Sequence, residues 1–168
     1  HIQQGFATGS MAAYDSAKQS MTIIPSTLNA RYTHASLGLR YLQANMGDLQ
    51  SQTEIMEFVI GGKTTEFAER LLAKNPTIIG FGVYIWNVVQ TTEVVRQLKA
   101  LRPDVRVVLG GPEVSHELEG QPIVALADYV ITGWGDVSFP KLCRALVHGP
   151  RPLMKVIAGE QPPLEEID

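Results

Sequence analysis

From residue 21 onward, short apolar runs alternate with longer amphipathic ones. The first run, 21–25, has strand length and ends at Pro25, which removes a backbone donor. Leu39, Leu42 and Met46 then recur at helical spacing until Gly47. Residues 53–60 read as a second strand closed by Gly61 and Gly62. Phe67, Ala68, Leu71 and Leu72 line one face of a following helix, which Asn75 and Pro76 end. Residues 78–83 are apolar almost throughout, the pattern of a strand covered on both faces. Asn87 with Gln90 makes a capping pair for a third helix, whose inner face carries Val88, Thr91, Val95 and Leu98. A fourth strand over 105–109 runs into Gly110-Gly111-Pro112, and 114–126 is a short irregular or helical piece. A fifth strand over 129–131 ends at Gly133-Trp134-Gly135. Phe139, Leu142, Cys143 and Leu146 then occupy i, i+3, i+4 and i+7 of a last helix.

Strands alternating with helices specify an α/β domain built on a parallel sheet covered on both faces. The pattern predicts a doubly wound, five-stranded, flavodoxin-like (Rossmann-like) sheet of order 2-1-3-4-5, with 3-2-1-4-5 as the alternative. In both orders a ligand binds beyond the carboxyl ends of the strands, near the point where strand order reverses. The domain is expected over 21–149. Residues 1–20 are polar and small, and Gly9-Ser10-Met11 reads as a junction between an added leader and a native start. That segment is therefore expected to be added or flexible. Pro150, Pro152, Pro162, Pro163 and an acidic end give 150–168 the composition of a linker toward a further domain, with one strand-like run at 154–157.

Composition narrows the choice of function. With 168 residues, 45% hydrophobic and 18% charged, the chain has the make-up of one globular domain. A single cysteine excludes an internal disulfide, a structural zinc site of the cysteine type and an iron–sulfur cluster. A net charge of -3 argues against nucleic acid as a partner held by general positive charge. No apolar run approaches the ~20 residues of a membrane helix. No secretory signal stands at the start, and the expected setting is the cytoplasm, with no nucleic-acid or membrane partner.

The carboxyl ends of the strands carry the candidate chemistry. Residues 26–34 follow the first strand, 84–87 the third, 110–113 the fourth and 133–136 the fifth. This rim is rich in amides, hydroxyls, aromatic rings and glycine, and poor in paired carboxylates. It suits a large ligand with many hydrogen-bonding edges, while sharp turns alone account for the glycines equally well. Several familiar sites fail at particular positions. The dinucleotide fingerprint G-x-G-x-x-G is absent after the first strand. Gly62-Lys63-Thr64 imitates the end of a phosphate loop, but that motif's first glycine falls on Glu57. No acidic cluster of the receiver type is present, and Ser26 with Thr27 is thin support for a flavodoxin phosphate loop. Cys143 reads as a packed thiol, His148 as a residue complementing a helix C-terminus, and His116 as a loop residue facing ligand or solvent. His34 lies in the loop after the first strand, where a helix-start role competes with a ligand role. Tyr84 and Trp86 lie beyond a strand whose apolar face Ile79, Phe81 and Val83 already supply, so they read as pocket aromatics.

Four segments carry a resemblance: Asn29-Ala-Arg-Tyr-Thr-His-Ala-Ser-Leu-Gly-Leu-Arg-Tyr-Leu42, Gly80-Phe-Gly-Val-Tyr-Ile-Trp-Asn87, Gly110-Gly-Pro-Glu-Val-Ser115 and Asp128-Tyr-Val-Ile-Thr-Gly-Trp-Gly-Asp136. In this order and spacing they resemble the N-terminal cobalamin-binding domain of cobalamin-dependent radical S-adenosylmethionine enzymes, a group related to the anaerobic magnesium-protoporphyrin ester cyclases. The resemblance covers about 21–149. Two departures stand out. The family's last motif reads Gly-Glu-Gly-Glu, and here Trp134 replaces the first acidic side chain while both glycines and Asp136 are kept. The Asp-x-His-x-x-Gly motif of methionine-synthase-type domains is missing, because Tyr32 stands at the aspartate position before His34 and Leu37 at the glycine position.

The resemblance implies a base-off cobalamin with no histidine on the lower cobalt face, an apolar or aromatic residue (Tyr84, Ile85 or Trp86) lying under the corrin instead. It implies a ligand rim of Thr27, Leu28, Asn29, Tyr32, His34, Tyr84, Ile85, Trp86, Gly110, Gly111, Pro112, Glu113, Ser115, Gly133, Trp134, Gly135 and Asp136, with cobalt carried by the corrin and by no protein side chain. Thr27, Asn29, Ser115 and the backbone of Gly110 and Gly111 would serve the corrin amides, and the detached nucleotide tail would thread between sheet and helix. The complete enzyme is expected to add a radical domain whose Cys-x-x-x-Cys-x-x-Cys triplet binds a 4Fe-4S cluster and S-adenosylmethionine. It would act as a methyltransferase or as an oxidoreductase or cyclase. This chain alone is expected to bind cobalamin without turnover. The alternative is a doubly wound docking domain that has lost its cofactor, a reading that Trp134 and the missing ligating histidine keep open. A flavin or nucleotide domain is weaker, since no phosphate loop matches.

Overall fold

The computed structural model describes residues 21–30, 37–133 and 135–160. In chain order the elements are β1 (Ile23–Asn29), α1 (Leu37–Ala44), a 3-10 turn (Gly47–Gln52), β2 (Met56–Val59), α2 (Thr64–Leu72), β3 (Ile78–Gly82) and α3 (Val88–Leu101). They continue with β4 (Arg106–Gly110), a second 3-10 turn (Pro112–Val114), α4 (Pro122–Leu126), β5 (Tyr129–Thr132), α5 (Ser138–His148) and β6 (Val156–Ala158). All strand pairs are parallel, in the order β2-β1-β3-β4-β5-β6. The expected order 2-1-3-4-5 is present with one strand added, and the direction of winding reverses at β1 and β3.

Three boundaries differ from the sequence expectation. Pro25 does not end β1. It pairs with Gly80 in mid-sheet, and the strand runs on to Asn29. A proline removes a single ladder bond, and here Ile23, Ile24 and Leu28 around it are fully buried and hold the strand in place. The second strand starts at Met56 rather than residue 53, because Thr53 caps the 3-10 turn, its hydroxyl donating to the Leu49 carbonyl at 2.8 Å, and makes only an isolated bridge to Ile23. The sheet also continues past residue 149. The β-branched pair Val156 and Ile157, within the segment expected as linker, covers the open edge of β5. Gly159 N–H donates to the Thr132 carbonyl at 2.6 Å, and Lys141 pairs with Glu160 at 2.9 Å.

Two cores flank the sheet. Ile24, Leu28, Ile79, Phe81, Val83, Val107, Leu109 and Val130 face α2, α3 and α4. The alternate positions Ile23, Ile78, Val108 and Ile131 meet Met46, Leu49, Phe139, Leu142 and Cys143 on the side of α1 and α5. Burial of each such side chain stabilises by roughly 1.5–3 kcal/mol. Cys143 is completely buried, and that burial pushes its thiol far above the usual range, more than the nearby Arg144 lowers it. At the amino edge of the sheet, Asp128 accepts from Lys99 at 2.9 Å and from Val107 N–H at 2.8 Å, with Arg106 at 3.6 Å. Lys99 also donates to the Pro103 and Val105 carbonyls, so the cluster fastens α3, β4 and β5 together. Among the described residues no helix is long and apolar enough to cross a membrane.

Candidate functional site

Side chains alternate across a strand, so every second residue of β1, β3, β4 and β5 faces α1 and α5. Toward the amino ends these positions are Ile23, Ile78, Val108 and Ile131, and they pack. Toward the carboxyl ends they become Pro25 and Thr27, Gly80 and Gly82, Gly110, and Gly133 just past β5. Four of those six have no side chain. The sheet is thus bare along one end of one face, and the helices above it leave a cavity of about 290 Å³. Gly80, Gly82 and Gly110 floor this cleft. Leu39 and Leu42 of α1 and Phe139 of α5 form its walls, and Tyr84, Gly111, Gly133, Gly135 and Asp136 complete the lining.

Each glycine of the floor has its own neighbours. A Cβ on Gly80 would stand 2.7 Å from the Phe139 ring, so glycine there lets that ring lie on β3 and close one side of the cleft. At Gly82 the nearest atoms would be Tyr84 at 3.3 Å and the Thr27 hydroxyl at 3.7 Å. At Gly110 the nearest is the Ile131 carbonyl oxygen at 4.0 Å, and at Gly133 and Gly135 nothing lies within 4 Å, so side chains at these three would project into open space. Gly111 differs. Its φ of 106° is closed to other residues, and a Cβ would fall 2.5 Å from the Val83 carbonyl oxygen. That close approach goes with the hydrogen bonds from Val83 N–H to the Gly110 carbonyl (2.7 Å) and from Glu113 N–H to the Val83 carbonyl (3.2 Å).

The loop after β3 is held from below by Asn87. Its Oδ1 accepts from Tyr84 N–H at 2.9 Å, and its Nδ2 donates to the Leu28 carbonyl at 3.0 Å and the Gly82 carbonyl at 3.2 Å. The expected capping pair with Gln90 therefore does not form, because three backbone groups, one buried and two part-buried, claim the Asn87 amide. Gln90 instead accepts from Gly61 N–H at 3.0 Å. So anchored, Tyr84 and Trp86 stack with centroids 4.5 Å apart and planes 11° from parallel. Ile85 is 77% exposed and Trp86 51%. Ser115 joins the two glycine loops: its hydroxyl donates to the Gly111 carbonyl at 2.8 Å and accepts from Gly133 N–H at 3.1 Å. Asp136 lines the cleft half-buried, and burial raises its carboxyl above the ordinary value of 3.8.

Of the residues expected at the ligand rim, the cleft brings together Tyr84, Gly110, Gly111, Gly133, Gly135 and Asp136. Thr27, Leu28 and Asn29 belong to β1 and not to a loop. Thr27 is buried on the cleft side, Leu28 lies in the opposite core, and the Asn29 carbonyl accepts from Ile60 N–H at 2.9 Å. Ile85, Trp86, Pro112, Glu113 and Ser115 do not line the cleft, though each neighbours in sequence a residue or loop that does. Tyr32, His34 and Trp134 lie outside the described residues. Sequence reasoning passed over Pro25, Leu39, Leu42, Gly80, Gly82 and Phe139 as lining residues. The signal was available in Ile78-Ile-Gly-Phe-Gly82, where the glycines fall on alternate positions of one face. His148 is the exposed last residue of α5, followed by Gly149 with φ 61°.

A family model described as a B12 binding domain matches residues 25–143. Among solved structures, the chain is similar to a novel cobalamin-binding protein from Desulfitobacterium hafniense DCB-2, with a TM-score of 0.55 and 21% identity, over 76% of this chain and 60% of that one. It is also similar to a CheY-like protein (tadZ) from Pseudomonas aeruginosa PAO1, with a TM-score of 0.53 and 21% identity, over 74% of this chain and 99% of that one. These likenesses are likenesses of fold, and the chain spans only 60% of the cobalamin-binding protein's length. No curated protein matches it.

Proposed function

The chain belongs to the B12-binding domain family, and on that premise we propose that it holds cobalamin base-off, with the nucleotide tail in the glycine-floored cleft and the corrin over the carboxyl ends of the strands. The observation that carries this reading is the cleft itself: apart from Tyr84 and Asp136 the lining is apolar or side-chain-free, and side chains at Gly110, Gly133 and Gly135 would occupy its open space. A mostly apolar, largely pre-formed cavity with few polar groups is the usual seat of a cofactor. The stacked Tyr84–Trp86 pair and exposed Ile85 offer an apolar seat beneath the corrin. The sequence supplies no Asp-x-His-x-x-Gly imidazole, so the lower face of cobalt takes no histidine in this reading.

When bound, cobalamin supplies methyl-transfer or one-electron chemistry. The protein's own residues bind and orient it: Asn87 sets the aromatic loop, Ser115 fixes the spacing of the two glycine loops, and Phe139 shields the inner end of the cleft. In the full-length cytoplasmic protein the module serves a radical domain carrying a 4Fe-4S cluster and S-adenosylmethionine, for methyl transfer or another radical reaction. What supports that partnership is the four-segment resemblance, and a Cys-x-x-x-Cys-x-x-Cys triplet in the reading frame beyond Asp168 is the observation that tests it.

The binding test mixes the chain with hydroxocobalamin and passes it through gel filtration. A coloured complex should elute with the protein, and after reduction to the cobalt(II) form its paramagnetic resonance spectrum should lack the nitrogen splitting of a coordinated base. Loss of all colour on the column favours the docking-domain alternative. Retention with nitrogen splitting defeats the reading of a base-off cobalamin that has no histidine on cobalt.

A further inference from the structure

The cleft is nearly devoid of polar side chains, and its exceptions are informative. Apart from the Tyr84 phenol, Asp136 is the one described lining side chain with a polar group, and it is the only carboxyl. Asp136 stands just before α5, at the end of the loop carrying Gly133 and Gly135, where neither glycine places a side chain between it and the cavity. Burial alone raises its carboxyl, and neither a neighbouring charge nor a hydrogen bond contributes. Asp128, a part-buried carboxyl at the other edge of the sheet, is the contrast: that one has two cations and a backbone N–H. Asp136 thus has no partner among the described residues in the lining of a cavity whose walls are otherwise nearly apolar, which points to a donor that arrives from outside.

Resting on the reading of the cleft as the seat of the nucleotide tail, we infer that Asp136 selects the tail by accepting hydrogen bonds from its ribose hydroxyls. A carboxylate suits this position because it accepts from hydroxyl donors strongly, a charged partner making the hydrogen bond stronger than a neutral one. The apolar walls Leu39, Leu42 and Phe139 hold the aromatic base, which needs no polar partner along its faces. Recognition is then divided: shape and apolar contact for the base, one acid for the sugar. A corrin lacking the nucleotide has nothing to offer Asp136.

The test compares hydroxocobalamin with cobinamide, which keeps the corrin amides but has no nucleotide, in absorbance titrations of the whole chain and of its Asp136→Asn and Asp136→Glu variants. Asp136→Asn should weaken hydroxocobalamin about tenfold or more and leave cobinamide within twofold, and Asp136→Glu should recover part of the loss. An equal loss for both ligands would assign Asp136 to the corrin or to the fold, and no loss for either would remove its role. Both results overturn the inference. The underlying reading fails separately: a parent chain that binds neither compound has no cobalamin site, and one whose bound hydroxocobalamin keeps the base-on absorbance spectrum has no tail seat. Thermal melts in the absence of ligand serve as the folding control, and Asp136→Asn should melt no lower than the parent at pH 7.

Discussion

Replacing Gly110 by valine fills the cleft without disturbing the sheet. Gly110 ends β4 on the cleft side, and a Cβ built there meets nothing nearer than the Ile131 carbonyl oxygen at 4.0 Å. Its φ is outside the left-handed region, so valine fits the extended backbone. Glycine in a strand costs roughly 0.5–1 kcal/mol against alanine, so the variant's Tm should hold or rise by a few degrees. The two methyl groups instead enter a cavity of about 290 Å³ that the nucleotide tail must share. Overpacking of a fitted site costs roughly 1–3 kcal/mol, equivalent to about a 5- to 150-fold rise in Kd for hydroxocobalamin. The neighbouring residue is the contrast. Gly111→Ala places a Cβ 2.5 Å from backbone oxygen at a φ of 106°, which costs roughly 3 kcal/mol and lowers Tm by roughly 10 °C. Absorbance titration and circular dichroism melts on the two variants separate seat from scaffold. Parental affinity in a stably folded Gly110→Val protein would refute the cleft as the seat, and a large drop in its Tm would refute the open space drawn here.

Asn87→Ala leaves Tyr84 N–H, the Leu28 carbonyl and the Gly82 carbonyl without their partner; urea unfolding should register a loss of roughly 3 kcal/mol, since buried groups left unpaired cost 1–3 kcal/mol each. Cys143 is fully buried with its thiol pushed upward, so a thiol reagent should label it only at the rate of unfolding, and fast labelling of the native chain would contradict its place in the core. Burial raises Asp136 above 3.8, so the folded chain holds that proton more tightly than the unfolded one, and its ionisation weakens the fold as pH rises through the folded value. Asp136→Asn should therefore melt higher than the parent at pH 7 and converge with it below pH 3.8, which melts across that range will read.

Much of this was legible in the residues. Strand runs and amphipathic helices recur with the periods that packing demands, so the doubly wound parallel sheet and the glycine loops after β4 and β5 follow from pattern, and of the two strand orders that pattern allows the sheet has 2-1-3-4-5 with β6 added. The misplaced boundaries share one cause, the reading of local rules without the neighbouring strand. Pro25 stops an isolated strand, but in the sheet Gly80 and the buried Ile23 and Ile24 hold it, which carried Thr27, Leu28 and Asn29 out of the expected loop and into β1. Val156 and Ile157 look like a stray run among prolines until β5 offers them an edge. Asn87 has a capping residue's position, yet its amide answers to Leu28, far away in the chain. Capping chemistry is read over three residues, and this contact is invisible at that range.

The two aspartates that flank β5 stand in opposite surroundings. Asp128 precedes the strand at the amino edge, where Lys99, Arg106 and Val107 N–H meet its carboxylate and fasten three elements. Asp136 follows the strand at the carboxyl edge, where its surroundings are glycines and the apolar wall of the cleft. The same side chain is thus satisfied at one end and open at the other. The difference traces to the face of the sheet between them: on the α1 and α5 side, isoleucine and valine give way to glycine from β3 through the end of β5. On the opposite side Phe81, Val83 and Leu109 stay large to the carboxyl ends, and the helices close over them. A fold that only needed stability would fill both faces alike. Its bare stretch, bounded by an acid with no partner among the described residues, is where the proposed ligand would make the missing contacts.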